Sequence, residues 1–260
     1  PLLLVTPQAA NKTLGQGGFQ EVEQMALFKD MVAYQEEVRD PSRIAETLNR
    51  VILQAKRASA PAQINVPRDF WTQVIDIELP AIVEFERPSG GEDAINKAAE
   101  LLSKAKFPVL LNGAGVVIGG AIEASIKLAE RLDAPVCCGY QHNDAFPGSH
   151  PLFAGPLGYN GSKAGMELIA KADVILALGT RLNPFSTLPG YGIDYWPEGA
   201  EIIQVDINPD RIGLTKPVSV GIVGDAKKVA VSILNKLTST AGDTGRSTRK
   251  ELIAKTKSSW

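Results

Sequence analysis

The chain has 260 residues, 44 % of them apolar and 22 % charged, with a formal net charge of −2. That length holds one large or two ordinary domains with an ample core, and near-neutrality gives no reason to expect nucleic acid or a membrane surface as a partner. No apolar run approaches the ~20 residues of a membrane span, so the sequence reads as soluble and globular.

Pro1 runs directly into LLLV, a strand, with no initiator Met and no signal peptide, so the chain reads as an internal fragment of something larger. The strand over 2–6 leads to a Gly-rich loop, LGQGGF (14–19), and to a helix-period stretch from Gln20 to Phe28. A short strand MVAYQ (31–35) comes next, then a helix from Ser42 to Arg57 entered through Asp40-Pro41-Ser42. Ile44, Leu48, Val51, Ile52 and Ala55 form its apolar stripe at a period of 3.6. The strand AQINVP (62–67) stops at Pro67. This βαβαβ order over 1–70 is that of the second half of a parallel-sheet domain.

Residues 71–90 lack a sustained period and read as a linker, anchored by the neighbouring Phe70 and by Trp71. A second domain is expected over 91–238. Its first helix, EDAINKAAELLSKAK, puts Ile95, Ala98 or Ala99, Leu102 and Ala105 on one face. Strands are expected at 108–112, 135–139, 173–178, 201–207 and 219–223, with helices at 121–132 and 163–171 and an irregular loop at 140–162. The 121–132 helix turns Ile122, Ile126, Ala129 and Leu132 inward. Five short apolar strands alternating with helices predict an α/β fold with a doubly wound, mainly parallel sheet of Rossmann type. Residues 239–260 read as a Ser/Thr/Gly linker and a charged helix-like segment leading to a further domain.

In such a sheet ligands bind beyond the carboxyl ends of the strands, and four ends carry marked residues. Asn112-Gly113-Ala114-Gly115 forms either a tight strand–helix turn or a phosphate cradle, although it lacks the GxGxxG spacing. After Gly179, Arg181 offers a rigid fork of donors to phosphate or sulfonate, or covers its own loop. Asp206 and, after Gly224, Asp225 accept from a ribose or cap the turns next to them.

Hydrolytic machinery does not assemble: His142 and His150 share a polar loop, and no G-x-S-x-G elbow exists. Cys137 and Cys138, the only cysteines, read as core thiols inside PVCCG. Adjacent cysteines rarely bridge each other, which fits a reduced, cytoplasmic setting. With two histidines and no CxxC or HxxxH spacing there is no metal site.

Six motifs in order, GGFQEVEQ (17–24), PAQINVPRDF (61–70), HPLFAGPLGYNG (150–161), ADVILALGTRL (172–182), IIQVDINPDRIG (202–213) and VGDAKKV (223–229), resemble the thiamine-diphosphate-dependent enzymes of the acetohydroxyacid synthase and pyruvate oxidase type. The resemblance implies that 1–70 is the C-terminal half of a pyrimidine-binding domain, 91–238 the central Rossmann-like domain, and 239–260 the way to a pyrophosphate-binding domain. The stretches TRLNPFSTLPGYGIDYWP (180–197) and VTPQAANKTLGQGGFQE (5–21) look most like the acetyltransferase branch of that family. Its reaction turns sulfoacetaldehyde and phosphate into acetyl phosphate and sulfite.

The same resemblance implies thiamine diphosphate with Mg²⁺, a homodimer or homotetramer, and Phe19 and Gln20 beside the cofactor in an intersubunit site. For that pair the residues alone leave a second reading open, a helix N-terminus that packs Phe19 into the core. In flavin-binding relatives the positions of Gly179, Arg181, Asp206 and Asp225 contact FAD, and some others hold ADP in this domain. Here the loop departs after Arg181, which implies an enzyme without FAD and makes these positions, with Gly113 and Gly115, a vestigial or structurally reused nucleotide site. The family's activating Glu is expected upstream of Pro1 and its GDG…N motif downstream of Trp260, so residues 1–260 alone are expected to be inactive. Two alternatives stay open, another thiamine-dependent lyase or carboligase and a nucleotide-binding or assembly module without chemistry of its own.

Overall fold

The computed structural model describes residues 1–81, 84, 86–238 and 246–259. The chain divides into two units, Pro1–Phe85 and Glu86–Trp260.

The first unit is built from β1 (Leu2–Gln8), α1 (Gln24–Phe28), β2 (Tyr34–Glu37), α2 (Ile44–Ala58) and β3 (Pro61–Pro67). β3 lies between β1 and β2 and is parallel to both. α2 starts from a 3₁₀ turn in which the Asp40 carboxylate accepts from Ser42 N–H, and it ends at Ser59 in a left-handed conformation. Its buried Val51 and Ala55 pack on Ala62, Ile64 and Val66 of β3, the small core of this unit. A polar chain crosses the strands. Gln63 Nε2 donates to Thr6 Oγ1, Thr6 Oγ1 to Asn65 Oδ1, and Asn65 Nδ2 to Glu37.

Two elements differ from expectation. The predicted helix from Gln20 shortens to α1, because Gln20 itself is left-handed (φ 60°) and no residue of α1 is buried to hold more turns. The strand expected at 31–35 appears at Tyr34–Glu37. Its glutamates are tolerated at a sheet edge, where Arg50 of α2 reaches Glu36 at 2.6 Å.

The second unit runs α3 (Glu92–Lys104), β4 (Pro108–Asn112), α4 (Ala114–Ile118), α5 (Ile122–Leu132), β5 (Val136–Gly139), β6 (Phe153–Leu157), α6 (Lys163–Ile169), β7 (Val174–Leu178), β8 (Glu201–Asp206), β9 (Val220–Val223), α7 (Ala226–Lys236) and α8 (Arg246–Ser258). The strands form one parallel sheet in the order β6-β5-β4-β7-β8-β9. The chain thus starts in the middle, winds outward to β6, returns across to β7 and winds outward again. Right-handed crossovers travelling in opposite directions fall on opposite faces. α5 accordingly shares a layer with α7 and α3, and α6 packs with α8. Both faces are covered, so β4, β5 and β7 are buried throughout, as an apolar parallel sheet requires.

β6 was not anticipated within 140–162. Its sequence FAGPL carries Gly and Pro, which an edge strand accepts because one side of its ladder stays unpaired. α8 is held to this unit by Arg249, whose guanidinium donates to Leu132 O (3.1 Å), Asp133 O (3.0 Å) and Lys106 O, and by Ile253, buried in the main core. No helix among the described residues is long and apolar enough to cross a membrane.

Candidate functional site

Phe19 and Gln20 lie in the loop between β1 and α1. The Glu21 carboxylate ties that loop together, accepting from Gly15 N–H (2.6 Å) and Gly18 N–H (3.1 Å). The brace holds Gln20 in a left-handed conformation that costs a non-glycine residue about 1 kcal/mol or more. It also leaves the Phe19 ring 86 % exposed. Phe19 therefore does not pack into the core of its own unit. Sequence reasoning stopped at Phe19-Gln20 and missed Glu21, the residue that shapes their loop. A separate cavity of about 540 Å³ at the end of β2 is lined by Gln35, Glu37, Arg39 and Thr47 among others, and by neither Phe19 nor Gln20.

In the second unit the strand order reverses between β4 and β7, the switch point where such sheets take ligands. The loops after these two strands touch. Gly113 N–H donates to Leu178 O at 3.0 Å and Gly115 N–H to Gly179 O at 2.8 Å. A Cβ on Gly113 would stand 2.5 Å from Thr180 Cβ, and one on Gly115 would stand 2.7 Å from Gly179 Cα. Of the two readings of GAG, the tight turn accounts for these contacts, and both glycine N–H groups are already spent.

The acids are likewise engaged. Asp206, buried, accepts from Asn208 N–H at 2.9 Å and caps its own turn. Asp225, also buried, caps α7 through Lys227 N–H and Lys228 N–H and pairs with Arg87 at 3.0 Å. Arg181 differs: it is exposed, and no described residue pairs with its guanidinium. Its loop is pinned by buried Gln204, which donates to Thr180 O and Arg211 O and accepts from Gly213 N–H. The structure therefore brings Gly113, Gly115 and Gly179 together and leaves Arg181 as the one predicted residue here with donors to spare.

Two further residues shape this edge. Buried Asn112 ends β4 and donates to Ser125 Oγ and Ala145 O, and its signal was a polar residue closing the apolar run VLLN. Phe185 folds back over the ends of β5 and β6, its carbonyl accepting from Tyr159 N–H at 3.1 Å. Burial pushes both cysteine thiols up, Cys138 to about 12, so neither is a nucleophile. His150 Nδ1 accepts from Leu152 N–H while its Nε2 faces Glu130, and His142 lies 4.0 Å from Asp144 at the surface. Among the described residues no group of three or more His, Cys, Asp or Glu side chains is placed to hold a metal ion.

A parallel α/β sheet wound outward from β4 in both directions, with its switch point sealed by glycines, defines a Rossmann-type central domain. Residues 95–233 match the model of the thiamine pyrophosphate enzyme central domain, and the chain belongs to that family. It is 82 % identical over its whole length to the sulfoacetaldehyde acetyltransferase of Roseovarius nubinhibens and 48 % identical to that of Alcaligenes xylosoxydans xylosoxydans, covering 43 % of each. With the acetolactate synthase of Arthrospira platensis it shares 29 % identity over 91 % of the chain and 42 % of that protein. Benzoylformate decarboxylase from Polynucleobacter necessarius superposes with a TM-score of 0.81 at 25 % identity, over 95 % of this chain and 46 % of that one. The chain thus spans less than half the length of these relatives. The family implies thiamine diphosphate.

Proposed function

We propose that the chain is the middle portion of a thiamine-diphosphate-dependent acyltransferase that converts sulfoacetaldehyde and phosphate to acetyl phosphate and sulfite. The observation that carries this reading is the 82 % identity to a sulfoacetaldehyde acetyltransferase across every residue of the chain. In this reading 1–70 completes a pyrimidine-binding domain, 91–238 is the central domain, and 239–260 leads to a pyrophosphate-binding domain. In this reading the cofactors are thiamine diphosphate and Mg²⁺, not FAD, and parts of the enzyme outside these 260 residues hold most of the metal and diphosphate contacts; the family match supports the thiamine diphosphate.

The part assigned to this chain is local. Gln20 presents an amide that donates or accepts at a reacting oxygen, and the exposed Phe19 ring excludes water from the same place. The strained backbone at Gln20 and the Glu21 brace support this assignment, because strain held by a dedicated side chain is typical of working loops. The assembly is at least a homodimer, with the site shared between subunits, and it works in the cytoplasm.

The test is sulfite release by a protein spanning the full length of the relatives, given sulfoacetaldehyde, phosphate, thiamine diphosphate and Mg²⁺. Acetyl phosphate and sulfite should appear in equal amounts, and residues 1–260 alone should release neither. Acetolactate formation from pyruvate without sulfite release would overturn the assignment.

A further inference from the structure

The cavity of about 540 Å³ at the end of β2 lies within the first unit, at the outer edge of its sheet, where Met25 of α1 and Thr47 of α2 flank the strand. Its volume is that of an ordinary small-molecule cleft, about 300–1,000 Å³. We propose that it is a binding site for a small zwitterion, a molecule that carries an ammonium group and an oxyanion such as a carboxylate.

Most charged groups around the cavity are already engaged. Arg50 donates to Glu36 at 2.6 Å, and Arg43 is paired with Glu46. Asp40 is committed to the turn that starts α2, where its Oδ1 accepts from Ser42 N–H at 2.9 Å and from the Ser42 hydroxyl at 2.7 Å. Two opposite charges remain. Glu37 Oε2 accepts from Asn65 Nδ2 at 2.8 Å, which fixes the carboxylate and leaves Oε1 without a described partner. Arg39 is exposed, and no described residue pairs with its guanidinium.

Two neutral groups are unspent as well. Gln35 Nε2 donates to Met25 O at 2.9 Å, which fixes the amide's orientation and turns Oε1 the other way. That oxygen is buried without a hydrogen-bond partner. Thr47 is 3 % exposed, and its hydroxyl bonds no described residue, not even the carbonyl one turn back that helical threonines often reach. Unmatched buried polar groups are costly, and here they line one cavity whose occupant would match them.

The pattern dictates the ligand. Gln35 and Glu37 are two apart on an extended strand and share one face of it. Two acceptors, one of them charged, suit the N–H groups of an ammonium. Arg39 follows two residues further on and offers a fork of donors to an oxyanion. The Thr47 hydroxyl donates or accepts as the ligand requires. A simple anion is opposed by Glu37 and a simple cation by Arg39, so only a molecule with both charges satisfies the two together.

The test is isothermal titration calorimetry of a protein spanning the full length of the relatives, with glycine, β-alanine and 4-aminobutyrate as probes of increasing charge separation. At least one should give saturable heat. Propionate, which lacks the ammonium, and propylamine, which lacks the carboxylate, should bind about tenfold more weakly or not at all. Arg39→Ala and Glu37→Gln should each weaken the best probe by about tenfold or more. Glu37→Gln keeps an acceptor for Asn65 and turns a donor toward the ammonium. Thr47→Val, isosteric at a hydroxyl with no described partner, should melt with the wild type or above it and still bind more weakly. No saturable heat from any of the three amino acids would overturn the proposal. So would equal affinity for propionate or propylamine, or unchanged affinity in Arg39→Ala and Glu37→Gln proteins whose melting matches the wild type. Binding heat is read without turnover, so such a failure leaves the acyltransferase reading intact.

Discussion

Gly115 donates its N–H to the carbonyl oxygen of Gly179 at 2.8 Å, and a Cβ on Gly115 would stand 2.7 Å from Gly179 Cα. Two loops separated by more than sixty residues of chain thus meet backbone to backbone at the centre of the sheet. Gly179 has φ +61°, so it suits this junction for a second reason.

Gly115→Ala should cost about 1–3 kcal/mol, the usual range for overpacking, because the obstructing atoms are backbone and cannot rotate away. Gly148→Ala is the control, since its Cβ would meet only Phe153 Cε1 at 4.0 Å. Urea unfolding followed by circular dichroism should move to lower denaturant for the first variant and stay within about 0.5 kcal/mol for the second. Equal midpoints for the two would show that the loops separate freely.

Arg249 gives a prediction about α8. Its guanidinium donates to three carbonyls, two at the end of α5 and one just beyond α3, where the helix dipoles add attraction for a cation. Arg249→Ala should release α8, and hydrogen exchange at Leu252–Lys257 should quicken by at least tenfold. Arg249→Lys should recover only part of the protection, because an ammonium lacks the planar fork that reaches all three acceptors. Unchanged exchange in both variants would mean that the other contacts of α8, led by buried Ile253, hold the helix without Arg249.

Much of the second unit was legible because buried parallel strands are written as unbroken apolar runs: PVLLN, DVILAL and EIIQVDI hold β4, β7 and β8, the last two each one residue shorter than expected. β6 escaped because a sheet edge relaxes the demand for apolar, Pro-free sequence. In the candidate site the strand ends were legible and their pairings were not. Nothing local in GAG or LGT says that the glycines face each other, since that contact exists only once β4 and β7 lie side by side. The turn-back of Phe185 onto Tyr159 was hidden for the same reason. Asp206 and Asp225 offered two readings each, and the capping bonds account for both residues.

In the first unit, Arg50 and Tyr34 both bond the Glu36 carboxylate, and the Arg50 contact is the main cause that holds its pKa below the usual carboxylate range. A carboxylate depressed by folding stabilises above its unfolded pKa of about 4.3, and that contribution disappears as pH falls through the folded value. Unfolding stability should therefore decline between about pH 5 and pH 3, and Glu36→Gln should flatten that part of the profile. The pair is partly exposed, so the effect should stay near 1 kcal/mol or less. A carboxyl carbon titration that finds Glu36 in the ordinary range would remove the basis for this expectation.

The final prediction concerns Cys137 and Cys138. Both thiols are fully buried, and desolvation is the main cause that raises them, Cys138 to about 12. The thiolate is the reactive form, so at pH 8 almost none is present and no path leads reagent to it. Native protein should resist iodoacetamide over hours, and both thiols should label within minutes in urea. The labelling rate should track the unfolding equilibrium and accelerate in Gly115→Ala by the same factor as that variant's loss of stability. Rapid alkylation of the native wild type would show that β5 opens locally without global unfolding.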